Sequence, residues 1–338
     1  MDIELRKKIL EAFREIRQSA KHKECVLCGN SLPICNSHLI PQFILKNIAA
    51  NGELINFERF AHGEQKVIDT RVGVNRSGTF HCICQKCDGV LFSDYENENN
   101  IRSKKFNNHF LSQVIIKNCL SRFYKKSLEL YLPSVLAKYG IYMQNEYNYL
   151  DSLSKDIEYC KETIAAESHV IKQNRIHQHC IIYQKTLPYT VPFATQAYIL
   201  VHRDLSGNIV NDIDHFEKIM HPLHICVFPL KKETMILLFI SKRSHKCYQS
   251  FCKSFNQMAD TNKLHYLFYL VLKHTEDVFF SPLVDDSVLC NLNLQSLAKE
   301  VYDKTELGIW ESNEANPNYK LVNYPNIPNL FLEKYCIC

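Results

Sequence analysis

Apolar residues at helical spacing open the chain. Ile9, Leu10, Phe13 and Ile16 share one stripe, which predicts a helix over 2–20. Residues 25–100 keep no such period. Turn-forming stretches ("NGE", "HGEQ", "RSG") break them up, and they read as a loop-rich module with little core of its own. The stretch 101–126 returns to a helical pattern, with Lys104, Lys105, Lys117, Arg122, Lys125 and Lys126 on its polar sides. "LP" at 132–133 and Gly140 punctuate the chain, so a boundary is expected near 130–145. A long helix is predicted over 145–176, where Leu150, Leu153, Ile157, Cys160 and Ile164 keep a 3-4 spacing.

The pattern then changes to strands at 180–184, 196–203, 223–230 and 234–241. The short "KKE" between the last two predicts an antiparallel hairpin. Two helices fit "SHKCYQSFCKSFNQMA" and "TNKLHYLFYLVLKHTEDVF". The end of the chain, "NEANPNYKLVNYPNIPNLFLEKYCIC", is expected to run extended over the surface. Runs of strands beside runs of helices give an α+β class. The expected architecture is a small module at 1–130 and a larger domain of helices and antiparallel sheet at 131–338.

Composition agrees with two globular domains: 338 residues, 46% hydrophobic and 22% charged. Charge is uneven. Residues 1–130 hold 20 Lys and Arg against 14 Asp and Glu, while 131–338 hold 20 against 22. A basic excess beside the candidate chemistry suits a phosphate-bearing partner, as well as a solvated surface of mixed charge. Fifteen cysteines are many for this length. Met1 is followed by a charged amphipathic stretch with no apolar core of a signal peptide, and no apolar run is long enough to cross a bilayer. A reduced cytoplasm is therefore expected, with no membrane partner. There, paired cysteines point to metal or redox chemistry.

Two such pairs stand 55 residues apart: Cys25-Val-Leu-Cys28 and Cys84-Gln-Lys-Cys87. Each places two thiolates on a knuckle turn, and two knuckles complete a tetrahedron for zinc. Cys35 and Cys82 are substitute ligands. Redox use is less consistent with the sequence, because the βαβ setting of a redox pair is absent. A zinc held by four thiolates has no open position and is structural. Any catalysis belongs to residues that it positions.

Ser37-His38-Leu39-Ile40-Pro41 follows the first knuckle, and Asp88 directly follows the second. The set of two Cys pairs, His-Leu-Ile-Pro and Cys-x-x-Cys-Asp resembles the HNH endonuclease superfamily over about residues 25–98. The resemblance implies a small zinc-stapled ββα-metal fold, similar to a treble clef, and hydrolysis of phosphodiester bonds in nucleic acid, DNA ahead of RNA. It implies His38 as general base, taking a proton from the attacking water. Asp88 takes the place of a ligand to a catalytic Mg²⁺ or Mn²⁺, and Glu96, two helical turns on, adds a second carboxylate. Ser37 stands where the family usually carries Asp. No central Asn is obvious between His38 and Cys84, Asn75 being a candidate. The larger domain would then receive an activating ligand or partner protein, an arrangement associated with bacterial defence systems.

Plainer readings stand beside these. His38 fits a structural or zinc-bound histidine, and Asp88 an acid at a helix N-terminus. His177 and His179 read as a surface pair at a helix end, Asp285 and Asp286 as a turn and cap, and the Cys-x-Cys ending as chance. The functional alternative is a zinc-stabilised module that binds nucleic acid or protein without cutting.

Overall fold

A computed structural model describes residues 3–57, 67–140, 142–143, 146–212, 219–305 and 326–337. The chain runs α1 (Ile3–Ser19), β1 (Ser37–His38), α2 (Gln42–Ile48), β2 (Glu53–Phe57), β3 (Ile68–Gly73), β4 (Thr79–Phe80), α3 (Gln85–Leu91), α4 (Glu98–Arg102), α5 (Asn108–Glu129), α6 (Leu132–Lys138) and α7 (Glu146–Lys172). It continues through β5 (His179–Leu187), β6 (Phe193–Ile199), β7 (Leu223–Pro229), β8 (Thr234–Ser241), α8 (Gln249–Gln257), α9 (Asp260–His274), β9 (Val278–Phe280), α10 (Asp286–Leu289) and α11 (Leu292–Thr305). The class is α+β, with helices and antiparallel sheet as expected. No helix among the described residues is long and apolar enough to cross a membrane.

The compact units do not follow a cut near residue 130. One comprises 1–39 and 79–176, the other 40–78 and 177–338. Residues 40–78 are therefore not part of a loop-rich zinc module. They carry α2 and two strands of the larger unit, with Ile44, Leu45, Ile48, Leu54 and Ile68 buried. Short strands such as Glu53–Phe57 gain their burial from partners distant in sequence, which a local period does not show.

In the first unit, β1 and β4 form a two-stranded antiparallel ribbon, Ser37 opposite Phe80 and His38 opposite Thr79. Asn107 caps α5 by accepting from the Phe110 amide. α5 packs along α7, and both lie in this unit. Leu153, Cys160 and Ile164 of α7 are buried, in keeping with their spacing. α5 is enclosed on nearly every side, with Val114, Ile115, Ile116, Cys119 and Leu120 all buried. Lys117 sits among them and is buried too, so it is not on a polar face; Lys104 and Lys105 lie exposed in the turn between α4 and α5, which breaks the helix expected over 101–126. Arg122 reaches across to Asp156 of α7 at 2.7 Å.

The second unit is built on a seven-stranded sheet of order β3-β2-β9-β6-β7-β8-β5. β7 and β8 form the expected hairpin, Leu223 opposite Ile240 and Pro229 opposite Thr234. On one face Ile225, Val227, Ile236 and Leu238 join a core with Phe251 and Phe255 of α8 and Leu267 and Phe268 of α9. Cys226, Phe228, Leu237 and Phe239 are buried as well, and α2 packs over β6 and β7. Burial of both faces explains why these strands read as continuous apolar runs. β6 begins three residues earlier than its sequence pattern suggested, because Phe193, Ala194 and Thr195 pair with β9. Asp285 caps α10 by accepting from the Ser287 amide, as its sequence context implied. The last described residues do not all lie on the surface: Leu330 and Phe331 are fully buried in this core. The stretch 313–325 and Cys338 lie outside the described residues.

Candidate metal centre and the cluster beside it

The first knuckle closes on itself. Gly29 donates its amide to the Cys25 carbonyl at 2.8 Å. Its φ of +69° is one that glycine adopts without strain. The second knuckle ends in α3, whose N-cap is Cys84. Backbone bonds tie the two together, with Val26 donating to the Cys82 carbonyl and Cys35 to the Ile83 carbonyl, each at 2.9 Å. The sulfurs of Cys25, Cys28, Cys84 and Cys87 come within 4.8 Å of one another, and Cys28 Sγ lies 4.0 Å from Cys84 Sγ. Four thiolates around one zinc, at about 2.3 Å each, require sulfurs about 3.8 Å apart. Four thiols brought this close together form a cluster able to hold a metal such as zinc. Among the described residues no second group of three or more metal-ligating side chains converges.

The thiols are unequal. Burial raises the Cys25 pKa, but amides of Cys84, Cys28 and Leu27 outweigh it and bring the group down to about 7. Burial and the neighbouring thiols push Cys87 up. Bound zinc reverses such a rise, since a coordinating thiol is deprotonated. Cys35 and Cys82 are not in the cluster. Cys35 Sγ donates to the Ile83 carbonyl at 3.3 Å, and burial with the Asp88 charge holds its pKa at about 11. Cys82, fully buried, turns its sulfur to the Leu120 carbonyl at 3.7 Å; it follows β4 instead of lying in it, so the expected strand alternation does not apply.

Beside the knuckles lies a second cluster. Asp88 stands in the first turn of α3. Its Oδ1 accepts from Ser37 Oγ at 2.7 Å and from Lys117 Nζ at 2.8 Å. Lys117 Nζ also donates to Ser37 Oγ at 2.8 Å and to Glu96 Oε1 at 3.0 Å. The Lys117 side chain is 0% exposed, Asp88 20% and Glu96 39%. Glu96 gets there without a long helix. α3 ends at Leu91, and a turn in which Glu96 donates to the Phe92 carbonyl brings it round. Tyr95 donates to the Leu39 carbonyl at 2.7 Å and so ties this turn to the strand bearing His38.

Of the predicted site residues, Asp88 and Glu96 meet, though on an ammonium. Ser37 turns into that cluster, and His38, half-buried, takes the alternate face of β1. Asn75 belongs to the other unit, where its Oδ1 accepts from Gln42. His177 is exposed, as expected of a surface residue, and His179 is half-buried with its ring edge-on to Phe239. Sequence reasoning missed Lys117. Its signal was a lysine inside "VIIKNCL", with apolar residues on both sides along the helix.

Comparison with protein-family models, curated proteins and solved structures gives no match. The fold and site define a class: an α+β protein with a four-cysteine cluster able to hold a metal such as zinc.

Proposed function

We propose that the first unit is an HNH-type module, with zinc as its structural metal, that hydrolyses phosphodiester bonds in nucleic acid. One observation supports this above others, the order of parts. A knuckle leads to His38 on β1, β1 pairs antiparallel with β4, and the second knuckle opens α3 with Asp88 in its first turn. In this reading His38 accepts the proton of the attacking water. Asp88 Oδ2 and Glu96 Oε2, the oxygens that Lys117 does not take, would hold Mg²⁺ or Mn²⁺. Such an ion supplies charge neutralisation at the phosphate. Lys117 fixes the two carboxylates from behind. The second unit would select substrate or receive an activating ligand or protein. No disulfide joins the described cysteines, which suits a reducing compartment such as the cytoplasm.

A second reading, binding without cleavage, has its own support. Lys117 already satisfies the inner oxygens of both acids, and Ser37 offers a hydroxyl where a carboxylate would serve an ion better.

The test is cleavage and binding of plasmid DNA, single-stranded DNA and RNA with Mg²⁺ or Mn²⁺, comparing the full chain with His38→Ala and Glu96→Gln. The nuclease reading expects His38→Ala to lose about 10²–10⁴-fold in rate with zinc content intact. Cleavage that survives His38→Ala refutes it. Binding without cleavage in the wild type, unchanged by His38→Ala, supports the second reading.

A further inference from the structure

The inner half of the acid cluster is shaped around a cation. Lys117 Nζ has three N–H bonds, and three oxygens receive them: Ser37 Oγ, Asp88 Oδ1 and Glu96 Oε1, all within 3.0 Å. The remaining side is aromatic. Nζ lies 4.2 Å from the Phe92 ring centroid and 5.7 Å from that of Phe80, the range of cation–π attraction. Ser37, fully buried, passes its own proton on to Asp88, so its oxygen is free to accept from the ammonium. Two carboxylates, one hydroxyl and two ring faces are a lining for a positive charge. An apolar side chain in the same place would leave the acids facing each other uncompensated.

We propose that Lys117 is a tethered cation, its ammonium occupying a cation-binding site formed by Ser37, Asp88, Glu96, Phe92 and Phe80. By occupying the site, the ammonium holds both carboxylates in one orientation and keeps free cations out of the interior of the cluster. Lys117 is thus a positioning residue whose chemistry, a primary ammonium, matters as well as its bulk. This goes beyond the nuclease reading and stands whether or not the unit cuts nucleic acid.

The consequence is chemical rescue. Lys117→Ala removes the three outer carbons and the nitrogen, and n-propylammonium replaces those atoms. The partial exposure of Asp88 and Glu96 gives it a way in. The experiment is thermal unfolding of the full-length protein with n-propylammonium chloride, and with tetramethylammonium chloride at equal ionic strength as the cation that cannot donate. Wild type, Lys117→Ala and Lys117→Met are compared. Expected is a saturable rise in Tm for Lys117→Ala with n-propylammonium alone, as for a ligand of the folded state. Lys117→Met, whose side chain fills the space, and the wild type should not respond. No rise in Lys117→Ala, or an equal rise in Lys117→Met or with tetramethylammonium, overturns the proposal.

Should Lys117→Ala not fold, the pair Lys117→Met and Lys117→Met/Asp88→Asn decides. A cation site predicts that removing the Asp88 charge raises the Tm of Lys117→Met, since one of two uncompensated anions is gone. A further fall overturns it. Neither readout involves cleavage, so failure here and failure of the nuclease reading are separable.

Discussion

Asn in place of Asp88 keeps the shape of the side chain and one hydrogen-bond acceptor while removing the charge. The ammonium it leaves is 0% exposed and 2.8 Å from the altered group. Breaking a buried pair by neutralising one partner costs about 3–5 kcal/mol, because the other charge stays out of water. Glu96 remains 3.0 Å away but is 39% exposed, and a pair with so wet a carboxylate offsets only about 0–1 kcal/mol. The expected loss is therefore near the low end, about 3 kcal/mol. At about 2–4 °C per kcal/mol, the first unit should melt about 6–12 °C lower. Glu96→Gln, losing only the exposed partner, should cost about 1 kcal/mol or less. Calorimetry is the assay, because two compact units can give two transitions, and zinc content is checked for each variant. If Asp88→Asn costs no more than Glu96→Gln, the Lys117–Asp88 pair does not hold this cluster together, and the reasoning fails.

Metal analysis should find about one zinc per chain. Cys28→Ser or Cys84→Ser should lose it and unfold the first unit, since metal binding supplies folding free energy there. Cys35→Ala and Cys82→Ala should keep it, and loss in either would move the ligand set. In the second unit His224 is fully buried, stacked at 4.9 Å on Phe239, and burial, with His179 and Arg243 nearby, lowers its pKa to about 3. Its folded value lies below its unfolded one, so its contribution is complete above about pH 6.5 and lost as pH falls toward 3, by about 1.4 kcal/mol per pH unit. His221, lowered by burial and Arg243, acts with the same sign. Urea midpoints for His224→Phe should fall less between about pH 7 and about pH 5 than those of the wild type, and an unchanged slope would contradict this.

Local chemistry settled much of this protein. The two knuckles are written in two short spacings, because a tight turn presenting two thiols needs only neighbouring residues. The β7–β8 hairpin follows from two apolar runs and "KKE", and the α10 cap from Asp285 itself. Other features were illegible for a physical reason. Residues 40–78 carry strands whose burial comes from a sheet completed by β9 and β6, far along the chain, so nothing local marks them as core. Lys117 is the sharpest case. Between Ile116 and Cys119 it reads as the polar side of an amphipathic helix, since a lone lysine is normally solvated. Its burial is possible only because Ser37, Asp88 and Glu96, 80, 29 and 21 residues away, supply the oxygens that replace its water. The cost of burying a charge depends on those partners, and only the tertiary structure brings them to it.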